Sequence, residues 1–239
     1  MTPRDAAALP TDRTWQKASQ LVRSSYKEGD LILFAPDWID PVGRMNFGDL
    51  ISLDMAARMD TARYGRIWEV SIRGAHAPET EGLIPAMVRE LDDITVRFFD
   101  RPPAVVVTDI REHLAAAKVE GPARPTLELA EVGFAPHRCV QVVPPAKSSV
   151  RITFPRVALG SQLVGYAGLA DVFTRRSPRG PGKLAVEIGG QIVAQVTFGV
   201  DDGWVRFAAP TTPVATDVTF IASADDANRL ICFAAEARR

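Results

Sequence analysis

From residue 127 onward, nine short apolar runs follow one another with Gly, Pro or Asp between them, and this most restricts what the chain can fold into. The runs are 127–132, 138–143, 150–154, 162–169, 183–188, 191–198, 204–208, 217–222 and 229–234. Each has strand length, and the breaks between them are rich in residues that supply tight turns. Gly189-Gly190 between two runs is a two-residue hairpin signal, because glycine enters the left-handed region without steric cost. Strands of this length and spacing predict an antiparallel β-sandwich of jelly-roll type.

The first hundred residues read differently. Trp15, Ala18, Val22 and Tyr26 recur at three- and four-residue steps after the potential caps Thr11 and Asp12, which predicts a helix that Gly29 is placed to end. A buried strand follows at 31–35, then a loop carrying Asp37, Trp38, Asp40 and Arg44, then a helix from about residue 48 to 59. A strand is expected at 66–72, a helix at 81–91 with Pro85 disturbing its first turn, and a strand at 94–99. A short apolar run at 104–107 and a helix at 110–119 precede the turn-rich 121–125. The alternation of helix and strand predicts a small α/β domain, Rossmann-like, with a parallel or mixed sheet. The expected fold class is therefore α+β overall: a flexible leader at 1–10, the α/β domain at 11–120 and the β-sandwich at 121–239.

Composition excludes several functions. With 28 Lys and Arg against 29 Asp and Glu, the formal charge is −1, and the basic residues are scattered, so a nucleic-acid partner is not expected. No run reaches the ~18 apolar residues that a membrane-spanning helix needs, and the start Met1-Thr2-Pro3-Arg4-Asp5 lacks the order of a secretory signal. The expectation is a soluble chain without a transmembrane segment, cytoplasmic on this evidence. The two cysteines, Cys139 and Cys232, lie in apolar runs, either as buried thiols or as a disulfide between strands near the two ends of the sandwich. A disulfide would imply an oxidising compartment.

Candidate chemistry is sparse. Ligands in open α/β sheets sit beyond the carboxyl ends of the strands, which makes the loop at Asp37, Trp38, Asp40 and Arg44 the first candidate binding surface. Its carboxylates, with Asp49 a turn further on, would orient a polyol or hold a hard cation, and its indole would stack on a sugar ring. In the plainer reading the acids cap turns and Trp38 packs on the sheet. His76, in the loop 74–78, would lie at the same sheet edge. His76, His113 and His137 show no zinc-binding spacing, and no metal is expected. Gly-x-Ser-x-Gly and glycine-rich phosphate motifs are absent, so no cofactor is implied. In the second half, Tyr166, Asp171, Phe173, Arg175 and Arg176 form one mixed aromatic and charged segment and Asp201-Asp202-Gly203-Trp204 another. Asp171, Arg175 and Trp204 are candidates for a glycan site there. In the plainer reading the aromatics fill the sandwich.

Trp15 and Ala18, with Gly29-Asp30 leading into Leu31-Ile32-Leu33-Phe34-Ala35-Pro36, resemble the soluble extracytoplasmic domain of the dolichyl-phosphate-mannose mannosyltransferase and aminoarabinose transferase-like proteins. That resemblance implies an accessory domain in a periplasmic setting, since the catalytic loops of those enzymes join membrane helices that this chain lacks. Gly168-Leu169-Ala170-Asp171-Val172-Phe173 and Asp201-Asp202-Gly203-Trp204-Val205-Arg206-Phe207 are similar to galactose-binding-like jelly rolls. Together these readings predict a non-catalytic accessory protein of cell-envelope glycan or glycolipid assembly, with a saccharide or a protein as partner. The rival expectations are a hydrolase or glycosyl-group transferase using Asp37, Asp40 and His76, and a structural assembly protein without a small ligand.

Overall fold

The structure, a computed structural model, describes residues 9–170 and 179–239. The chain forms two compact units. The first comprises the residues up to Ala56 together with Asp60–Ala104, and the second Ala57–Met59 with Val105–Arg239.

The first unit opens with helix α1 (Asp12–Arg23). The Thr11 side chain accepts from the Thr14 amide at 3.3 Å, Asp12 stands in the first turn and Arg23 in the last, each complementing the helix dipole. Trp15, Ala18, Ser19 and Val22 make its buried face. Strand β1 (Leu31–Ala35) is buried throughout and pairs in parallel with β2 (Arg66–Ile72), Ala35 lying opposite Ser71. Strands β3 (Met87–Leu91) and β4 (Ile94–Asp100) complete a sheet of order β1-β2-β4-β3, with β2/β4 and β4/β3 antiparallel.

This sheet is mixed, with one parallel pair, and a Rossmann-like arrangement is not shown. The reason lies in the segment read as a helix over 81–91. Leu91 pairs with Ile94 across a two-residue turn in which Asp92 adopts φ +54°, so the chain folds back as a hairpin and supplies no crossover helix. The expected helix over 48–59 reduces to a 3₁₀ turn (Gly48–Leu50) and the short α3 (Leu53–Ala56). Instead the stretch read as a loop is helical: a 3₁₀ turn (Asp37–Ile39) runs into α2 (Asp40–Phe47). Pro41 is tolerated in that first turn, where its missing N–H breaks no helical bond.

The second unit begins with β5 (Val106–Asp109), a 3₁₀ helix (Ile110–Ala116) where an α-helix was expected, and β6 (Lys118–Glu120). Then come β7 (Thr126–Val132), β8 (Ala135–Val142), β9 (Ser148–Ala158), β10 (Gln162–Leu169), β11 (Gly182–Ile188), β12 (Gln191–Phe198), β13 (Val205–Pro210), β14 (Ala215–Ala224) and β15 (Ile231–Arg238). All nine expected runs appear as these last nine strands. Residues 105–120, read from sequence as the end of the α/β domain, group with the sandwich because β5 pairs with β15 and β6 with β9.

One sheet contains the order β13-β10-β15-β8-β7 and the other β12-β11-β14-β9-β6. Strands β8 to β15 alternate between the sheets except at the β11–β12 hairpin, giving the nested orders 13-10-15-8 and 12-11-14-9 of a jelly roll. At that hairpin Ile188 faces Gln191 and both Gly189 and Gly190 have positive φ, as the sequence pattern requires. The core lies between the sheets. Phe220 of β14 stacks on Phe233 of β15 with centroids 4.8 Å apart and meets Phe154 of β9 edge-on at 5.7 Å. All three are fully buried, each stabilising the fold by about 1.5–3 kcal/mol through removal of apolar surface from water. Cys139 of β8 and Cys232 of β15 form a disulfide with Cα atoms 5.5 Å apart and a sequence separation of 93.

Candidate functional site

The carboxyl ends of the parallel strands β1 and β2 lie side by side, so the segments that leave them emerge at one edge of the first unit. From β1 comes α2 with its preceding turn. Ile39, Gly43 and Phe47 recur every four residues on its buried face. A Cβ at Gly43 would stand 2.4 Å from the Phe34 ring, so only glycine lets the helix approach the strand this closely. Phe34 and Phe47 meet edge-on at 5.5 Å and fix the seat. With that face buried, Trp38, Val42 and Met45 turn outward, 55%, 42% and 85% exposed. The plain reading in which Trp38 packs on the sheet does not hold, because the helix face used for packing is the one carrying Ile39.

From β2 comes a tight turn, Ile72 to Ala75, closed by the Ala75 amide donating to the Ile72 carbonyl at 3.0 Å. Arg73 and Gly74 both have positive φ, 56° and 70°. Arginine pays for the left-handed conformation, and the turn sets its guanidinium 5.7 Å from the centre of the Trp38 ring, within cation–π range. Sequence reading missed Arg73; the signal was a residue followed by Gly directly after a strand.

Below this turn the Glu69 carboxylate is completely buried and fully engaged. It accepts from the Ala77 amide at 2.9 Å, from the Thr80 hydroxyl and from Arg97 at 2.8 Å, and His76 Nδ1 lies 3.4 Å away. Arg97 also donates to the Ser71 hydroxyl at 2.7 Å. The buried acid thus anchors the loop 74–80 while the His76 ring stays more than half exposed. At the opposite end of β1, buried Asp30 accepts from Trp68 Nε1 at 2.7 Å and from Arg66 at 2.7 and 3.1 Å. This pairing holds Arg66 above its usual pKa and secures the start of the strand.

The edge therefore carries Asp37, Trp38, Arg73 and His76, with Asp40 and Arg44 on the first turns of α2. Arg44 Nε donates to Asp40 at 2.5 Å, an i,i+4 pair that is 40% exposed on both sides. Among the described residues Asp40 is engaged by Arg44 and His76 by Glu69, not by each other. No group of three His, Cys, Asp or Glu side chains among the described residues is arranged to hold a metal.

The sandwich candidate has a different character. Trp204 stacks with His137, at 4.4 Å and 11°, and with Tyr166, at 6.0 Å and 10°. Its Nε1 donates to the Met59 carbonyl at 3.0 Å, and the ring helps to cover the buried disulfide with Val132. His137 Nδ1 donates to the Arg58 carbonyl at 3.0 Å, which places the proton on that nitrogen. Burial pushes the His137 pKa down to about 4, against the opposing effect of the Arg58 bond. Trp204 thus serves internal packing. Asp171 and Arg175, the other candidates on this unit, lie outside the described residues, as do Phe173 and Arg176.

A charged cluster that sequence reading did not find lies beside β15. Asp109, Glu236 and Arg238 are buried, Arg238 donating to Glu236 at 2.8 Å and Arg111 to Asp109 at 2.5 Å. Burial pulls the Arg111 pKa down, but Asp109, Glu236 and Glu112 together raise it. Two acids and two guanidinium groups balance, as buried charges must.

No family model matches the chain, and no curated protein matches it. Among solved structures it is similar to a two-domain segment, CBM51-2 with INT domains, of Clostridium perfringens ZmpB in complex with GlcNAc, at 13% identity and TM-score 0.42, over 71% of this chain and 40% of that one. It is similar to a family 35 carbohydrate binding module from Clostridium thermocellum, at 13% identity and TM-score 0.36, over 56% and 98%. A third is the K1 cleaved adhesin domain of Lys-gingipain from Porphyromonas gingivalis, at 11% identity and TM-score 0.36, over 51% and 88%. The chain spans about two fifths of the first of these. The jelly-roll assignment rests on strand order, and the resemblance of the first hundred residues to a transferase-associated domain gains no support from these structures.

Proposed function

We propose that the protein is a non-catalytic recognition protein that takes a saccharide on the edge formed by Trp38, Arg73, Asp37 and His76. What carries this reading is Trp38, an indole more than half exposed in the turn that leads into a helix seated on the sheet through Gly43, with a guanidinium beside its ring. An exposed aromatic face offers a sugar ring an apolar platform, and the neighbouring carboxylate, imidazole and guanidinium offer hydrogen-bond partners for its hydroxyl groups. The setting of cell-envelope glycan or glycolipid assembly is supported by the resemblance at residues 15–36 alone.

The test is a thermal-shift screen of the chain against mono- and oligosaccharides, since a ligand of the folded state raises the melting temperature by mass action. A shift with a saccharide that disappears in Trp38→Ala supports the site. A shift that survives Trp38→Ala, or no shift with any saccharide, overturns it.

A second reading has its own observation. Trp38, Val42 and Met45 make an exposed apolar row at helical spacing, the pattern of a protein contact. Met45→Glu would abolish capture of a protein partner and leave a saccharide shift at Trp38 unchanged.

A further inference from the structure

Among the described residues the sheets of both units end in seven edge strands, one of them the four-residue β5 that pairs with β15, and all but β7 are short, covered or interrupted or carry a basic residue. Strand β1 is buried, β6 has three residues, and β3 carries Arg89 and Glu90. Strand β13 ends at Pro210 and carries Arg206, and β12 slips against β11 with Val193 as the extra residue. These are the devices by which natural sheets blunt their edges. Strand β7 carries two acids, Glu128 and Glu131, but it is neither short, covered nor interrupted. It runs seven residues, Thr-Leu-Glu-Leu-Ala-Glu-Val, in unbroken register with β8, and no described strand pairs with its other side. Leu127 and Leu129, on the same face, are 48% and 51% exposed.

We propose that β7 is a self-association edge, pairing antiparallel with β7 of a second copy about a two-fold axis normal to the sheet. Such an axis preserves the two faces, so only residues of matching parity lie opposite one another. Centring the axis on Glu128 would face that carboxylate with its own copy, a destabilising arrangement. Centring it on Leu129 pairs all seven residues: Leu129 with itself, Glu128 with Ala130, Leu127 with Glu131 and Thr126 with Val132. No like charges meet, and the two Leu129 side chains cover each other. The acids disfavour the register centred on Glu128, and the register centred on Leu129 is the one that pairs the whole strand. One strand pair makes a contact smaller than standard stable interfaces, so the dimer is weak and concentration-dependent.

The test is sedimentation equilibrium of the full chain over a wide range of concentration, with melting temperatures recorded for every variant. The expected result is a monomer–dimer equilibrium that Leu129→Lys abolishes, because two ammonium groups would meet on the axis, while Leu127→Lys retains it by facing Glu131. Hydrogen exchange at the β7 amides should slow as the wild-type chain is concentrated, which keeps the proposal testable if Leu129→Lys fails to fold. A chain monomeric at every concentration overturns the proposal, as does a dimer indifferent to Leu129→Lys. Equal loss in both variants overturns the register.

Discussion

Two tryptophans, Trp38 and Trp204, looked alike in the sequence, each in a turn-rich segment beside acids and arginines. In the structure they differ in what surrounds the ring. Trp204 stacks with two rings, its N–H is given to a backbone carbonyl, and it helps to cover a disulfide. Trp38 has a guanidinium beside one face and otherwise meets solvent over more than half its surface. An aromatic whose faces and donor are already engaged belongs to the stability of the fold. One turned outward ahead of a helix seated on the sheet is the one we propose for a ligand.

The sharpest way to break this contrast is to remove each ring. Trp204→Ala should cost about 3 kcal/mol, the low end for truncating a large aromatic because the ring is only partly buried, and should appear as a lower denaturation midpoint. A loss below ~0.5 kcal/mol would return Trp204 to the ligand-binding candidates.

The stack also makes a pH prediction. His137 has a folded pKa of about 4 against an ordinary value near 6.5, so between those values the unfolded chain binds the proton more tightly. Its contribution is present in full above pH ~6.5 and is lost as pH falls toward 4, amounting to about 3 kcal/mol at 1.36 kcal/mol per pKa unit. Denaturation curves across that range should show the slope, and His137→Phe, which keeps a ring against Trp204, should flatten it. An unchanged slope would remove the histidine from the account.

On the other side of the comparison, Gly43→Ala should destabilise the first unit by about 1–3 kcal/mol, since its methyl meets the Phe34 ring at 2.4 Å. It should also weaken any ligand at Trp38 by shifting α2, whereas a variant as stable as wild type would show that the seat is soft. The smallest stability effect is expected for Trp38→Ala, within about 0.5 kcal/mol by thermal melting, as for an exposed side chain without a structural task. A larger loss would mean that Trp38, too, serves packing.

Legibility from sequence differed between the two units for a physical reason. In the sandwich, each strand buries one face against the opposing sheet, so pattern and turn residues recur locally, and all nine runs were readable. In the first unit, short elements are decided by neighbours. The segment 81–91 contains good helix formers, yet its continuation across the Asp92 turn pairs it with β4. The helix from Asp40 was hidden by Pro41 and Gly43, each normally a mark against helix, one harmless in a first turn and the other required by the Phe34 contact. Of the candidate site, Asp37, Trp38 and His76 were legible as loop chemistry at one sheet edge. Arg73, Glu69 and Arg97 were not, because their role comes from strand pairing across 22 to 36 positions of sequence.

The sequence by itself determined the antiparallel half of this protein, because hydrophobic alternation and turn chemistry act over a few residues and leave little choice of fold. The tertiary structure alone decided which polar and aromatic side chains face solvent and which are consumed. Burial and partnering depend on what arrives from distant parts of the chain, and Trp204 is committed by Met59, His137 and Tyr166 while Trp38 is left exposed.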